Sequence, residues 1–177
     1  VSLSFQDEGG HFTQEVRQRC RDRIGKKLFC VKGIYGQDRA YTAPPKQVRI
    51  VINQTHVGSC WQYQIGVDAG KQHIMDNLRV KTPGPRYCHF PKRDDYGAWY
   101  FSGLLSERLT YNEKNARHPW KWEKIPGHER NEALDCRNYA MAAFEVLPKN
   151  LDAIDRNIQA ARGKAVDLSA GKATVPA

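Results

Sequence analysis

The sequence has no CxxC pair, no signal-peptide pattern and no hydrophobic run approaching the length of a membrane span. These absences argue against a structural zinc site, which normally has paired ligands at short spacing, and against a membrane protein. The cysteines are scattered and odd in number: Cys20, Cys30, Cys60, Cys88 and Cys136. We therefore expect reduced core thiols in a cytosolic protein that does not bind a membrane.

Positive charge is abundant. The 177-residue chain has a formal net charge of +9 and an isoelectric point near 9.4. An excess of this size attracts polyanions and favours contact with nucleic acid, although a basic protein without such a ligand remains an alternative. A run of basic residues lies near the first predicted helix: Arg17, Arg19, Arg21, Arg23, Lys26 and Lys27. Two interpretations are open: the run contacts the DNA backbone, or it is only a solvated helix face.

Hydrophobic periodicity predicts the order β-α-β-β-β-α-β-α-β-α, which is typical of an α/β domain with a sheet flanked by helices. The predicted helices include QEVRQRCRDRI, KQHIMDNLRV, YGAWYFSGLLSERL and HERNEALDCRNYAMAAFEVL. Two short strands are predicted at RYCHFP and KWEKI. After Pro148 the sequence is polar and free of aromatics, so we predict a domain over residues 1–147. Residues 148–177 are predicted to form an amphipathic helix near 150–162 and a flexible end.

Carboxylates in unusual places raise the question of function. Glu132 and Asp135 start a helix whose faces are nearly all apolar, and buried carboxylates are rare unless paired, hydrogen-bonded or bound to metal. Asp7 and Asp68 each end a predicted strand, where an α/β sheet commonly forms its binding crevice. Such acids can hold two hard divalent cations for phosphodiester cleavage. Turn formation, helix capping and the helix dipole are the ordinary alternatives.

Four segments in order carry a family resemblance: QDEGGHFTQEVRQRC, IGVDAGKQHIMDNL, RYCHFP with YFSGLLSERL, and RNEALDCRNYAMAAF. Over residues 5–147 the chain resembles the C-terminal nuclease domain of the large terminase subunit of lambda-like tailed bacteriophages. The resemblance implies an RNase H-like fold and a Mg²⁺- or Mn²⁺-dependent endonuclease that cuts concatemeric viral DNA in the host cytoplasm. It also implies four partners, namely double-stranded DNA, the small terminase subunit, the portal protein and the ATPase domain of the full-length chain.

Site residues follow from the same resemblance. Asp7 matches the first-strand acid and Asp68 the acid after the later strand. Asp135 and Glu132 both match the third acid; Asp135 is favoured as ligand, with Glu132 as a second ligand or supporting partner. Lys71 is a candidate catalytic residue that reaches a phosphate, or else a solvated lysine.

Some positions in the matching segments are open to more than one interpretation. His11 is a phosphate or water contact or an ordinary turn residue, and Glu107 is interpreted as a surface helix carboxylate. Glu8 stands where a small residue is more usual, which makes the first ligand ambiguous. The ATP-binding pattern GxxxxGK[ST] is absent, so we expect an excised nuclease domain.

Two other functions remain open at this stage. One is another RNase H-like enzyme, such as a junction resolvase or a transposase. The other is a non-catalytic module that binds DNA or packaging proteins. Nicking of plasmid DNA with Mg²⁺ or Mn²⁺ separates the enzymes from the module, and four-way junctions identify the resolvase.

Overall fold

The computed structural model of the chain describes residues 3–116, 119–128, 130–147 and 150–170. The strands are β1 (Ser4–Asp7), β2 (Leu28–Ile34), β3 (Lys46–Ile52), β4 (Thr55–Gly66), β5 (Glu107–Tyr111) and β6 (Trp120–Lys124). The helices are α1 (Thr13–Asp22), α2 (Val67–Leu78), α3 (Ala98–Leu104), α4 (Glu132–Val146) and α5 (Leu151–Ala170), with short 3-10 turns at Ile24–Lys26 and Asp94–Tyr96. None of the helices described is long and apolar enough to cross a membrane.

Four strands form one mixed sheet in the order β1-β2-β4-β3. Strands β1, β2 and β4 are mutually parallel, and β3 runs antiparallel to β4. Residues Asn53 and Gln54 both have positive φ angles, 47° and 65°, as the tight two-residue turn between β3 and β4 requires. Strands β5 and β6 form a separate antiparallel ribbon. The predicted α/β class is confirmed, and the architecture is consistent with an RNase H-like nuclease fold.

Apolar side chains cover both faces of the sheet. On one face, α1 packs its buried Cys20 against Cys30, Ile50 and Cys60. On the other, Ala142 of α4 packs against residues of β2 and β4. The thiols of Cys30 and Cys60 lie 3.6 Å apart, and all five cysteines are free. The prediction of core thiols is correct for the three on the α1 face and wrong for the exposed Cys136.

The structure corrects two predicted elements. The helix predicted through residue 109 ends at Leu104, and Glu107–Tyr111 is a strand. Leucines at helical spacing suggested a continuous helix there, but pairing with β6 overrides that local pattern. The strand predicted at RYCHFP is absent from the described residues. Arg86 has a φ of 69°, and the flanking prolines donate no backbone hydrogen bond to a ladder.

Two helices differ from their predictions. Helix α2 begins at Val67, so Asp68 belongs to its first turn and does not end the strand. Helix α4 is not buried on all sides, because Cys136 and Ala140 are exposed and Phe144 is 55% exposed. Together with Tyr41 and other residues, Ala140 and Phe144 line an open groove of about 590 Å³.

The chain divides into two compact units, residues 1–146 and 147–177. Within the second unit, α5 extends to Ala170, beyond the helix predicted over 150–162. The apolar positions Leu151, Ile154 and Ile158 of α5 are 57%, 48% and 46% exposed. Residues 163–170, which were predicted to be flexible, belong to α5. The rest of the predicted flexible end, residues 171–177, lies outside the described residues.

Candidate active site

One edge of the sheet collects acidic residues from different elements. Because β1, β2 and β4 are parallel, their C-terminal ends meet at this edge. Asp7 is the last residue of β1, and Asp68 follows two residues after the end of β4. The loop after β2 reaches the same edge, since the Gly36 N–H donates to Oδ2 of Asp68 at 3.0 Å. Topology thus brings Asp7 and Asp68 to the same end of the sheet.

Asp68 is only 5% exposed, and its Oδ1 atom has no hydrogen-bond partner among the described residues. A buried carboxylate oxygen without a partner is costly, because it has lost its water and gained nothing in exchange. Native structures rarely keep such an atom without a reason, and an absent ion is one reason. One oxygen of the Asp68 carboxylate is therefore hydrogen-bonded, and the other is buried without a partner.

Lys71 lies three residues after Asp68 on the same side of α2. Its ammonium donates to Oε2 of Glu107 at 2.6 Å and lies 3.8 Å from Oδ1 of Asp135. Lys71 is 4% exposed and Glu107 7% exposed. The solvated-lysine alternative and the surface-carboxylate interpretation of Glu107 are both wrong. Glu107 belongs to this edge because β5 begins there.

Asn131 links the two acids that contact Lys71. Its Nδ2 atom donates to Oε1 of Glu107 at 2.8 Å and to Oδ2 of Asp135 at 2.9 Å. Burial raises the pKa of Asp135, and the negative charges of Glu107 and Asp7 raise it further, while Lys71 and Lys124 oppose this shift. Asp135 therefore lies in the same electrostatic environment as Asp7.

Tyr139 covers the Asp7 end of the edge. Burial raises the pKa of the Tyr139 hydroxyl, and the charge of Asp7 and a hydrogen bond to it contribute to the same shift. A Cβ atom on Gly33 would lie 2.8 Å from Cγ1 of Val67 and 2.9 Å from the Tyr139 hydroxyl, so glycine at this point of β2 lets both side chains pack closely on the strand. Asp7 also accepts the Gly9 N–H at 2.9 Å. Asp7 itself remains exposed.

Glu132 does not join this group. Its side chain is 67% exposed and lies 3.5 Å from the Arg130 guanidinium. A hydrogen bond involving its own backbone lowers the pKa of Glu132, and Arg130 adds to that effect. Glu132 thus has the ordinary role of an acid in the first turn of a helix. Of the two acids at the start of α4, the structure brings only Asp135 to the edge.

Glu8 faces away from Asp7, because successive residues of an extended chain point to opposite sides. The carboxylate of Glu8, 2% exposed, accepts two hydrogen bonds from Arg17 of α1, both at 2.8 Å. Gln62 of β4 donates to the same carboxylate. These contacts lie on the α1 side of the sheet and leave Asp7 as the acid that faces Asp135 and Tyr139. Glu8 and Arg17 are therefore a structural pair.

The donor chemistry of the edge suits a hard divalent cation. Carboxylate oxygens are the ligands that Mg²⁺ prefers, and Asp68 has an oxygen open. The acids are nevertheless not gathered into a finished site: no three His, Cys, Asp or Glu side chains in the described ranges are close enough together to hold a metal ion. His11 is exposed at the turn after β1. Metal-ligand roles for Asp7, Asp68, Asp135 and Glu132 therefore stay predictions.

Sequence reasoning missed two contributors. Asn131 connects Glu107 to Asp135, and Tyr139 adjoins Asp7. Neither residue stands in a recognisable catalytic spacing. Glu107 lies within a segment that matches the family, but the segment was predicted to be a surface helix, so the burial of Glu107 was not predicted.

The fold and this edge define an α/β domain with a carboxylate-lined candidate active site. The chain belongs to the family described as "Terminase large subunit gpA, endonuclease domain", which matches residues 1–156. It is also similar to the large terminase subunit of Escherichia phage lambda, with 26% identity over 157 residues. That match covers 82% of this chain and 22% of the lambda protein, so the chain spans about a fifth of that relative's length. No solved structure matches the chain. The predicted terminase resemblance is confirmed.

Proposed function

We propose that the chain is a metal-dependent DNA endonuclease that cuts concatemeric viral genomes during packaging. Membership in a terminase endonuclease family supports a packaging nuclease. Metal dependence is supported by one observation: the Oδ1 atom of the buried Asp68 carboxylate has no hydrogen-bond partner among the described residues. An oxygen of this kind is suited to a hard cation and is unfavourable without one.

Asp7, Asp68 and Asp135 are the residues that would hold Mg²⁺ or Mn²⁺. Two bound cations would supply an activated water and stabilise the leaving oxygen of the phosphodiester. Each acid comes from a different element, β1, α2 or α4, so the fold itself fixes their relative positions. We retain Lys71 as the cationic candidate of the site because it is buried beside Asp135.

The chain's own polar groups orient these acids. Gly36 fixes Oδ2 of Asp68 and leaves its Oδ1 without a partner. Asn131 fixes Oδ2 of Asp135, whose Oδ1 lies 3.8 Å from the Lys71 ammonium. The Gly9 N–H holds Oδ1 of Asp7 in the same way. Preorganised acids of this kind need little rearrangement when substrate arrives. The net charge of +9 favours a polyanionic substrate.

The relative's name extends the proposal to partners. The lambda protein is a large terminase subunit. We propose that this chain acts on double-stranded DNA in the host cytoplasm, beside an ATPase domain of a longer terminase chain. The small terminase subunit and the portal protein would be its packaging partners.

Plasmid nicking by Asp68→Asn tests the proposal. The purified chain should convert supercoiled plasmid to the nicked form with Mg²⁺ or Mn²⁺ and not with EDTA. Asp68→Asn removes the charge and nearly preserves the shape, so it should abolish nicking while circular dichroism stays unchanged. Asp94→Asn, in an exposed 3-10 turn, is the matched control and should keep full activity.

Other outcomes contradict the proposal. Full nicking by Asp68→Asn would remove that acid from the mechanism. DNA binding without nicking by the wild-type chain would favour a non-catalytic binding module. Cleavage of four-way junctions with resistance of linear duplex would favour a junction resolvase.

A further inference from the structure

Lys71 is the only buried lysine among the described residues, and it lies among the acids of the candidate site. Its ammonium contacts Glu107 at 2.6 Å and Asp135 at 3.8 Å. Desolvating an ammonium costs several kcal/mol unless carboxylates compensate for it. The two acids therefore serve as counter-charges to Lys71 in the structure as it stands.

The acids around Lys71 also have the chemistry of a cation site. Asn131 donates to both Glu107 and Asp135, and so holds the two carboxylates at a fixed separation. Asp68, one helical turn before Lys71, has the buried and unpartnered Oδ1. Two oxygen-donor side chains, Glu107 and Asp135, thus contact one ammonium, while Asp68 lies one helical turn before it. No three acids in the described ranges are close enough together to hold a metal ion, and the Lys71 ammonium contacts two of the acids of this edge.

We propose that Lys71 occupies part of the cation site, so that a divalent cation and the Lys71 ammonium compete for Glu107 and Asp135. This inference rests on the proposed metal-dependent function and adds Glu107 to the acids of the site. Cation loading would then be an exchange, in which Glu107 and Asp135 would release the Lys71 ammonium and hold the ion instead. The carboxylate oxygens of Glu107 and Asp135 favour a hard cation such as Mg²⁺.

Competition between Lys71 and the cation can be distinguished from a simple contact between Lys71 and a substrate phosphate by the cation affinity of Lys71 variants. If Lys71 competes with the cation, removing its charge should tighten cation binding. If Lys71 only contacts a substrate phosphate, cation affinity without DNA should be unchanged. If the Lys71–Glu107 pair only holds the site open, cation binding should weaken when the pair is broken.

Mn²⁺ binding to the DNA-free chain decides between these cases, measured by calorimetry or by the EPR signal of free Mn²⁺. Lys71→Met should bind Mn²⁺ about 5- to 150-fold more tightly than the wild type, the range usual for coupled sites. Lys71→Arg keeps the positive charge and should stay near the wild-type affinity. Lys46→Met removes the same charge from an exposed position in β3 and should leave the affinity unchanged.

A folding defect is the main complication, since Lys71→Met leaves Glu107 buried with Asn131 as its partner. Lys71→Gln is the second variant, because its amide can still donate to Glu107 while carrying no charge. It should also bind Mn²⁺ more tightly. Wild-type affinity in folded Lys71→Met and Lys71→Gln would overturn the exchange while leaving the proposed nuclease intact. No Mn²⁺ binding by the wild type or by any folded variant would overturn both.

Discussion

The Lys71 ammonium and the Glu107 carboxylate form an ion pair at 2.6 Å, with both side chains about 5% exposed. The pair joins α2, which follows the sheet edge, to the first residue of the β5–β6 ribbon. Buried ion pairs often stabilise a protein no better than apolar residues of similar volume. Burial of this pair, one helical turn after the buried and unpartnered Asp68 oxygen, therefore points to function more than to stability.

Substitutions of the two acids at the start of α4 should have very different effects on the nicking rate. Asp135→Asn should reduce metal-dependent nicking by at least about 100-fold, the scale expected when one preorganised electrostatic group is lost. Glu132→Gln should stay within about threefold of wild type, because the Glu132 side chain is exposed and paired with Arg130. Initial nicking rates at saturating Mg²⁺ measure both. Equal losses in the two variants would assign Glu132 to the site as well.

Stability should depend on pH through Asp135. Burial raises its pKa above the usual value of about 3.9. A carboxyl whose pKa is higher in the folded state contributes stability below the unfolded pKa, and this stability is lost as pH rises through the folded pKa. The asparagine of Asp135→Asn cannot ionise, so the variant does not lose this stability as pH rises. The variant should therefore melt at a higher temperature than wild type at pH 7, with the difference shrinking towards pH 3.

Thermal melts in metal-free buffer between pH 3 and pH 8 measure this difference. Added Mg²⁺ should raise the melting temperature of the wild type more than that of Asp135→Asn, because a ligand stabilises only the state that binds it. A lower melting temperature for the variant at pH 7 would mean that the Asn131 and Lys71 contacts of Asp135 outweigh the desolvation of its charge.

Arg17 should matter for folding, although it belongs to the basic run. It makes two hydrogen bonds to the buried Glu8 and one to the carbonyl oxygen of Arg49. Arg17→Gln would leave Glu8 without its counter-charge, which typically costs about 3–5 kcal/mol. Arg19→Gln, exposed on the same helix, should change the free energy of unfolding by less than about 0.5 kcal/mol. Urea denaturation compares them, and equal stabilities would contradict the structural role of Arg17.

Two exposed residues of the basic run are available for DNA. Arg23 and Lys26 are exposed, and each phosphate contact steepens the salt dependence of duplex affinity by about 0.9 in log–log slope. Changing both residues to glutamine should reduce the slope by up to about 2 and weaken binding to all sequences alike. The same change at Lys81 and Lys92, exposed in the loop after α2, controls for net charge. An equal reduction in the control would mean that no specific face binds the duplex.

Much of the fold follows from local pattern. The alternation and turn residues around Asn53 specify the hairpin, and the apolar spacing of Val16 and Cys20 specifies α1. Asp7 and Asp68 reach one edge because parallel strands place their ends together, a consequence of topology that sequence order already suggests. These features depend on neighbours in sequence or on general rules of sheet construction.

The remainder depends on contacts between distant residues. Glu107 is buried only because β5 pairs with β6 and begins beside Lys71, 36 positions earlier. Gly70 looks like a helix start in sequence, yet a Cβ there would lie 1.8 Å from Oδ1 of Asn138, so the glycine serves close packing of α2 on α4. A single sequence carries no signal for either contact.

The last prediction concerns the second unit of the chain. Leu151, Ile154 and Ile158 of α5 are each about half exposed, and a narrow apolar stripe of this kind cannot supply an independent core. Truncation after Leu147 should therefore leave Mg²⁺-dependent nicking and the circular dichroism of residues 1–147 intact. In a full-length terminase the same truncation should impair association with the portal protein, if the exposed apolar stripe of α5 is the surface that binds this partner. Pull-down with portal protein measures that loss, with nicking as the internal control. Unfolding of the truncated chain would instead make α5 part of the nuclease core and remove the basis for a docking role.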